Sequence, residues 1–274
     1  MNARVDSYLL SWLALVTCSF PSGNSLRRVK LARVWGNVCR YRSVALCRLR
    51  SRIYKSTDLE AIERLGEEMA AARECDPACA AKYTDYAFWL PFNLERIGRL
   101  SLHRSSPLRI LDIGCGPGYF LAAALVCGHE AYGVDAPPSA LTEIEARVYS
   151  EMLAALSCGD RVAPLLIERL VPMALPWHDL DLITAFWICF NRHRQPDEWG
   201  RAEWQFFVQD AMSYLREGGV LYLELNGNPE RYLSLEWYDE ETLSFFRSVG
   251  TVNRNIIRIV KEKSPQWGKN RKQP

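Results

Sequence analysis

Three glycines at alternate positions, Gly114, Gly116 and Gly118, constrain the fold of this chain more than any other feature. They follow the apolar run 110–113 and precede the apolar, alanine-rich segment 119–126. This order predicts a buried strand, a tight loop and a helix. Glycine carries no Cβ and adopts positive φ at low cost, so such a loop brings backbone N–H groups and a helix N-terminus close to a ligand. We therefore expect a small-molecule cradle.

A second strand is predicted directly after this helix. The stretch 129–135 ends in Asp135, which follows Asp112 by 23 residues. In nucleotide-binding α/β folds an acid at this place accepts hydrogen bonds from ribose hydroxyls. A dinucleotide fingerprint would need the third glycine one residue later, where Tyr119 stands. The spacing disfavours a dinucleotide, while a glycine-rich turn of another Rossmann-like protein remains an alternative.

The pattern Asp-x-Gly-x-Gly-x-Gly with a later strand-end Asp resembles the class I S-adenosylmethionine (SAM) dependent methyltransferases. The resemblance implies SAM as the cofactor. It implies that Asp112 supports the loop and approaches the amino-acid end of SAM, and that Asp135 holds the ribose. The expected cofactor contacts are Asp112, Gly114, Cys115, Gly116, Gly118, Tyr119, Asp135, Ala136 and Phe186.

The remaining pattern predicts an α/β protein with a Rossmann-like, doubly wound, mostly parallel sheet of six to seven strands and helices on both faces. We expect a third strand over 161–167, a fourth over 181–190, which resembles the corresponding strand of the family, and a fifth over 220–225. A late strand over 255–260 leaves room for only part of the antiparallel hairpin with which the family closes. An acid after the third strand often contacts adenine in the family, and Glu168 is the only candidate.

Four regions follow from composition and pattern. Residues 1–56 form a basic leader, 57–105 an N-terminal helical cap, 106–262 the SAM-binding core, and 263–274 a frayed basic tail. The cap begins at a predicted capping box with Thr57 as N-cap, and a second helix starts at Pro77 and breaks or kinks at Pro91.

The leader differs in charge from the rest of the chain. Residues 1–60 carry eleven basic and three acidic side chains, so the remainder of a chain with net charge +2 has a net charge of −6. Two interpretations stay open: a basic segment with weak membrane attraction, or a non-native extension that stays disordered. The mildly acidic body argues against a nucleic-acid partner. The sequence does not indicate the oligomeric state.

The nine scattered cysteines favour reduced thiols and a cytoplasmic enzyme, and no Cys or His spacing predicts a metal site. His193 is the best-placed candidate for a general base because a neutral imidazole accepts a proton near physiological pH. A solvated loop histidine is the alternative. Aromatic and polar side chains near the expected pocket favour a small-molecule or glycan acceptor; the candidates for acceptor contacts are Tyr86, Trp89, Trp187 and Asn191.

Together these features predict a SAM-dependent methyltransferase that acts on an oxygen of a small molecule or saccharide. Methyl transfer requires alignment, exclusion of water and, for a hydroxyl, removal of a proton. Two alternatives remain open. One is a SAM-fold protein that binds without turnover, and the other is a nicotinamide-dependent oxidoreductase, which the glycine spacing disfavours.

Overall fold

A computed structural model describes residues 44–71, 81–188, 190, 198–226, 235 and 238–262. Within these residues there are seven α-helices and seven strands, and the first three helices precede the first strand. The helices are α1 Val44–Ser56, α2 Leu59–Ala71, α3 Tyr86–Arg99, α4 Tyr119–Cys127, α5 Glu143–Ala155, α6 Arg201–Tyr214 and α7 Glu240–Val249. The strands are β1 Arg109–Ile113, β2 Glu130–Asp135, β3 Val162–Pro164, β4 Leu180–Phe186, β5 Leu215–Glu224, β6 Thr251–Asn253 and β7 Ile256–Val260.

The strands form a single sheet in the order β3-β2-β1-β4-β5-β7-β6. The pairs from β3 to β5 are parallel, whereas β7 runs antiparallel to β5 and pairs with β6 in a hairpin. The strand order reverses between β1 and β4, and ligands of open α/β sheets bind beyond the carboxyl ends of the strands at such a place. The predicted fold class is confirmed, and the closing hairpin has both of its strands.

Helices α1 to α5 cover one face of the sheet and α6 and α7 cover the other. The first face buries a cluster that includes Leu49, Ile53 and Ile97 against Phe186. The second buries Trp204 and Phe246, each fully enclosed, against the opposite side chains of the same strands. A sheet apolar on both faces accounts for the nearly continuous apolar runs of β1 and β4.

The N-terminal helices start earlier than the sequence predicts. Helix α1 lies within the predicted leader, yet its Leu49 and Ile53 are buried in the core, so organised structure begins before Thr57. The predicted cap residue is also wrong by one position. Asp58 accepts a hydrogen bond from the Ala61 N–H, while the Thr57 hydroxyl donates to the Ile53 carbonyl. The residues predicted to begin a helix at Pro77 lie outside the described part of the chain.

Helix α3 continues through Pro91, where the sequence predicts a break or kink. The Asp85 carboxylate caps the helix by accepting the Phe88 N–H at 3.1 Å. Proline removes one helical hydrogen bond, a cost that burial of the surrounding face offsets here. The consequence is one continuous helix from Tyr86 to Arg99.

Strand β3 is shorter than predicted: it spans Val162–Pro164, and its pairing with β2 ends with the hydrogen bond from the Leu165 N–H to the Asp135 carbonyl at 2.7 Å. The predicted helices near 203–215 and 240–249 are present as α6 and α7, and Asp239 caps α7 through the Thr242 N–H. None of the helices in the described ranges combines the length and apolar character that crossing a membrane requires.

Candidate functional site

The loop between β1 and α4 is built from backbone conformations that favour glycine. Gly114, Gly116 and Gly118 have φ angles of 69°, 52° and 85°. A Cβ at Gly114 would lie 2.9 Å from Ile188 Cγ2, and one at Gly118 would lie 2.7 Å from Leu153 Cδ2. At Gly116 a Cβ would meet nothing within 4 Å. The outer glycines are therefore needed for packing, while the middle one faces open space.

The backbone holds this loop against the end of the neighbouring strand. The Gly114 and Cys115 N–H groups both donate to the Val134 carbonyl, at 2.8 and 3.1 Å. Helix α4 starts at Tyr119 with Gly118 as its N-cap. Free N–H groups at a helix N-terminus favour a negative or polar ligand atom. The loop and the first turn of α4 thus meet at the carboxyl edge of the sheet.

Asp135 lies at the end of β2, next to the open glycine. Its carboxylate accepts the Gly116 N–H at 2.5 Å through Oδ2 and the Ala136 N–H at 2.8 Å through Oδ1. Burial raises the pKa of Asp135, while these two bonds oppose the shift. A carboxylate offers about four acceptor positions. Asp135 therefore has capacity left for ligand hydroxyls.

Asp112 lies inside β1, beneath the loop, and is buried. Its Oδ1 accepts the Thr184 hydroxyl of β4 at 2.7 Å. Burial raises the pKa of Asp112 to about 7, against the lowering effects of the Thr184 hydrogen bond and the Arg96 charge. The hydrogen bond ties the Asp112 side chain to β4, and a pKa of about 7 means that the group titrates near neutral pH.

Phe186 and Trp187 lie where β4 ends, at the same edge. The Phe186 ring packs against Phe120 of α4, with ring centres 4.8 Å apart. Trp187 has φ 58°, which is uncommon for a bulky residue. Its ring lies 4.8 Å from Phe92 and 6.3 Å from Trp89. The turn after β4 and helix α3 therefore form one aromatic wall.

The predicted acceptor residue Tyr86 is buried, and its neighbours are core residues. Its ring packs on Tyr54 at 5.1 Å and on Tyr119 at 5.8 Å, and its hydroxyl lies 3.2 Å from the Thr57 hydroxyl. Burial raises the pKa of Tyr86 to about 12. Trp89 also stacks on Tyr119, at 6.4 Å. Tyr86 and Trp89 thus border the start of α4 from the side of α3.

His193 and Asn191 lie outside the described residues. Two described residues on either side of them are in contact: the rings of Phe190 and Trp199 stack with centres 3.8 Å apart. His129 has a structural role: its Nδ1 accepts the Leu108 N–H, and its Nε2 lies 3.0 Å from the Leu102 carbonyl.

Sequence reasoning missed a buried charge network beside the site. Arg96 of α3 donates to Glu224 Oε1 at the end of β5 at 3.2 Å, and Arg99 donates to Glu224 Oε2 at 2.8 Å. Arg96 also donates to Asn93 Oδ1. Arg96 and Glu224 are 128 residues apart in sequence, so no spacing could reveal the pair. The acid at the end of an apolar strand was the only available signal.

Two thiols lie on either side of the glycine loop. A Cβ at Gly133 would lie 2.7 Å from Cys115 Sγ, and one at Gly118 would lie 2.8 Å from Cys158 Sγ. Burial raises the pKa of Cys115 well above its usual value and that of Cys158 to about 12. Both side chains fill space next to the glycine backbone as neutral thiols.

The donor set fits a nucleoside with a cationic amino-acid end. The open side of Gly116, the spare acceptor positions of Asp135 and the acid beneath the loop suit polar and positively charged groups. Among the residues described, no cluster of three or more His, Cys, Asp or Glu side chains could hold a metal ion.

Comparisons with known proteins give one curated relative and a set of solved structures. No family model matches the chain. It is 27% identical over 182 residues to a tRNA U34 carboxymethyltransferase of Idiomarina loihiensis, a match that covers 58% of this chain and 51% of that protein. The chain therefore spans about half the length of this relative.

Solved structures similar to this chain include two methyltransferases. One is the glycopeptide N-methyltransferase MtfA with S-adenosylhomocysteine (SAH), at TM-score 0.36 and 15% identity, covering 49% of each chain. The other is SAM-bound CalS10, an amino pentose methyltransferase from Micromonospora echinaspora, at TM-score 0.37 and 22% identity, covering 53% of this chain and 54% of that chain.

Proposed function

We propose that this chain transfers a methyl group from SAM to an oxygen of a small-molecule or saccharide acceptor. The observation that carries the proposal is the pairing of Asp135 with Gly116. The strand-end carboxylate and the open glycine of the neighbouring loop lie within a hydrogen bond of each other. This arrangement suits a ribose, and it occurs at the edge where strand order reverses.

In this proposal the residues around the loop bind and orient the cofactor. Asp135 accepts the ribose hydroxyls, and Gly116 and Gly118 let the backbone pass close to the amino-acid end. Asp112 stabilises the cationic end from beneath, and Cys115, Tyr119, Ala136 and Phe186 enclose the remainder. Bound SAM supplies a methyl group on a sulfonium, which is already a strong electrophile. The chain's main tasks are then alignment and exclusion of water.

The aromatic wall formed by Trp89, Phe92 and Trp187 supports a small or saccharide acceptor. Aromatic rings offer flat apolar surfaces on which the C–H faces of a sugar can pack, and one ring of this wall, Trp187, is only partly buried. The acidic body outside the leader does not favour a long polyanion. Asn191 and His193 complete the proposed acceptor site, with His193 removing the proton from the acceptor hydroxyl.

Three other functions make different predictions. A SAM-fold binding protein would take up SAM or SAH without transferring a methyl group. An oxidoreductase would bind NAD in place of SAH. An RNA methyltransferase, which the name of the Idiomarina relative raises, would be active on tRNA.

Cytoplasmic activity is expected from the reduced state that the cysteines suggest.

The test is calorimetry followed by an acceptor screen. Titration of the full chain with SAM, SAH and NAD should give binding to the first two only. Release of SAH should then be measured with hydroxylated sugars, amino sugars and unfractionated tRNA as separate acceptor groups. Turnover with sugars supports the proposal. Binding of NAD alone, turnover with tRNA alone, or SAH binding without turnover in any group would contradict it in favour of the corresponding alternative.

A further inference from the structure

The turn after β4 holds Trp187 in a conformation that its own residue type does not favour. Its φ of 58° is left-handed, where a Cβ crowds the following carbonyl. Such outliers persist only where the surroundings hold them, and they concentrate at functional sites. The Trp187 N–H donates to the Glu224 carbonyl at 2.7 Å, and the Asn226 side chain donates to the Trp187 carbonyl at 3.2 Å. These bonds fix the backbone of the turn.

The Trp187 ring is held by a buried cation. The Arg96 guanidinium carbon lies 4.5 Å from the centre of the Trp187 ring, 4.1 Å from that of Phe186 and 5.1 Å from that of Phe92. A guanidinium at these distances attracts aromatic faces, more strongly where water is excluded. One cation thus contacts two rings of the wall, Phe92 and Trp187, and the neighbouring ring of Phe186.

Glu224 fixes where that cation lies. Its backbone carbonyl accepts the Trp187 N–H while its carboxylate accepts a hydrogen bond from Arg96. Arg96 and Glu224 are both buried. Arg96 Nε has no hydrogen-bond partner among the described residues, so ring contacts rather than a complete set of hydrogen bonds surround this part of the guanidinium. A buried donor left without a partner is costly and calls for a compensating role.

We infer that Arg96 is a positioning residue that, through its contact with the indole and its ion pair with Glu224, holds Trp187 as the acceptor-facing side of the aromatic wall. This inference rests on the proposed function for the identity of the pocket. The same turn reaches the cofactor cradle, because Ile188 lies against Gly114. Arg96 therefore links the position of the acceptor wall to that of the glycine loop.

The test replaces Arg96 and observes Trp187 directly. The chain has nine tryptophans, and labelling with 5-fluorotryptophan gives each a ¹⁹F resonance, with Trp187→Phe identifying the one of interest. Arg96→Met should shift and broaden the Trp187 resonance. Arg96→Lys keeps the charge but loses the planar guanidinium, so it should restore the signal only in part.

Arg99→Met is the matched control. Arg99 pairs with the same carboxylate and contacts the Tyr222 hydroxyl, but its loss leaves the Arg96 contact with the indole in place. The Trp187 resonance should stay near its wild-type position. Once an acceptor is known, Arg96→Met should raise its KM about tenfold, as expected for one lost cation–π contact in a dry site.

An unchanged Trp187 resonance in both Arg96 variants, or an equal change in Arg99→Met, would overturn the inference. If Arg96→Met does not fold, Arg96→Lys decides alone. The spectra need neither cofactor nor acceptor. A wild-type chain that fails to bind SAH would therefore defeat the proposed function while the ¹⁹F result stays interpretable.

Discussion

The Asp135 carboxylate at the end of β2 accepts a hydrogen bond from the Gly116 N–H in the loop that follows β1. The parallel pairing of the two strands brings these segments together, and this side-chain contact adds to the backbone hydrogen bonds from the loop to Val134. The carboxylate has further acceptor positions, so this hydrogen bond orients the Asp135 side chain and leaves lone pairs that can accept hydrogen bonds from a ligand.

Replacement of Asp135 tests its proposed role at the ribose. Asp135→Asn removes the charge that strengthens hydrogen bonds from hydroxyl groups, at a cost of about 1.5–3 kcal/mol. SAH affinity, measured by calorimetry, should fall roughly 10- to 100-fold. Asp160→Asn, at an exposed acid near β3, is the control and should bind SAH as the wild type does. Equal affinities in all three proteins would exclude Asp135 from the cofactor site.

Gly118→Ala should be markedly destabilising. The new Cβ would lie 2.7 Å from Leu153 Cδ2 and 2.8 Å from Cys158 Sγ, at a φ of 85°. Left-handed strain and overpacking together should cost roughly 2–5 kcal/mol in urea unfolding. Gly128 has a φ of 95°, but a Cβ there would have no close neighbour. Gly128→Ala should therefore lower the free energy of unfolding by only about 1–2 kcal/mol. Equal stability of the two variants would contradict the close packing described around Gly118.

Asp112 should make stability depend on pH in an unusual direction for a carboxyl group. Its pKa is about 7 in the folded chain, so between the unfolded value of about 4 and pH 7 the native state binds more protons than the unfolded state. Stability from this group is therefore present at low pH and lost as pH rises to 7. The stability of Asp112→Asn relative to wild type should increase across this window and level off above it.

Urea unfolding at intervals from pH 4 to 8 measures this difference. Thr184→Val provides a second check, because removal of the hydroxyl that donates to Asp112 should move the window to higher pH. A stability difference between Asp112→Asn and wild type that is constant across the range would show that Asp112 does not titrate there.

His193→Ala should lower kcat by about 10²- to 10⁴-fold if the imidazole takes the acceptor proton. SAH affinity should be unchanged, since the cofactor contacts lie elsewhere. His178→Ala is the control, because the His178 ring stacks on Tyr214, away from the proposed acceptor residues. Full turnover in His193→Ala, measured with an acceptor found by screening, would remove His193 from the mechanism.

The sequence predicts the centre of this fold well because its signals are local. The strand, glycine loop and helix at 109–127 follow directly from apolar runs and three glycines, and the structure gives all three glycines positive φ. Asp112 and Asp135 lie beside the loop, as the motif indicates.

The features that were missed depend on contacts between distant residues. Helix α1 is basic and carries only a short apolar stripe, Leu46, Leu49 and Ile53, whose burial depends on the helices packed against it. Helix α3 accommodates Pro91 because the face around it is buried. The Arg96–Glu224 pair forms only once α3 lies over the end of β5. Local pattern does not encode any of these arrangements.

The buried sulfur atoms of Cys115 and Cys158 bear on how the cradle withstands oxidation. Peroxide and alkylating reagents attack the thiolate, and both groups stay protonated at neutral pH. A transient oxidising period in a cell should therefore leave this part of the molecule chemically intact, with no need for enzymatic reduction before it can bind a ligand again.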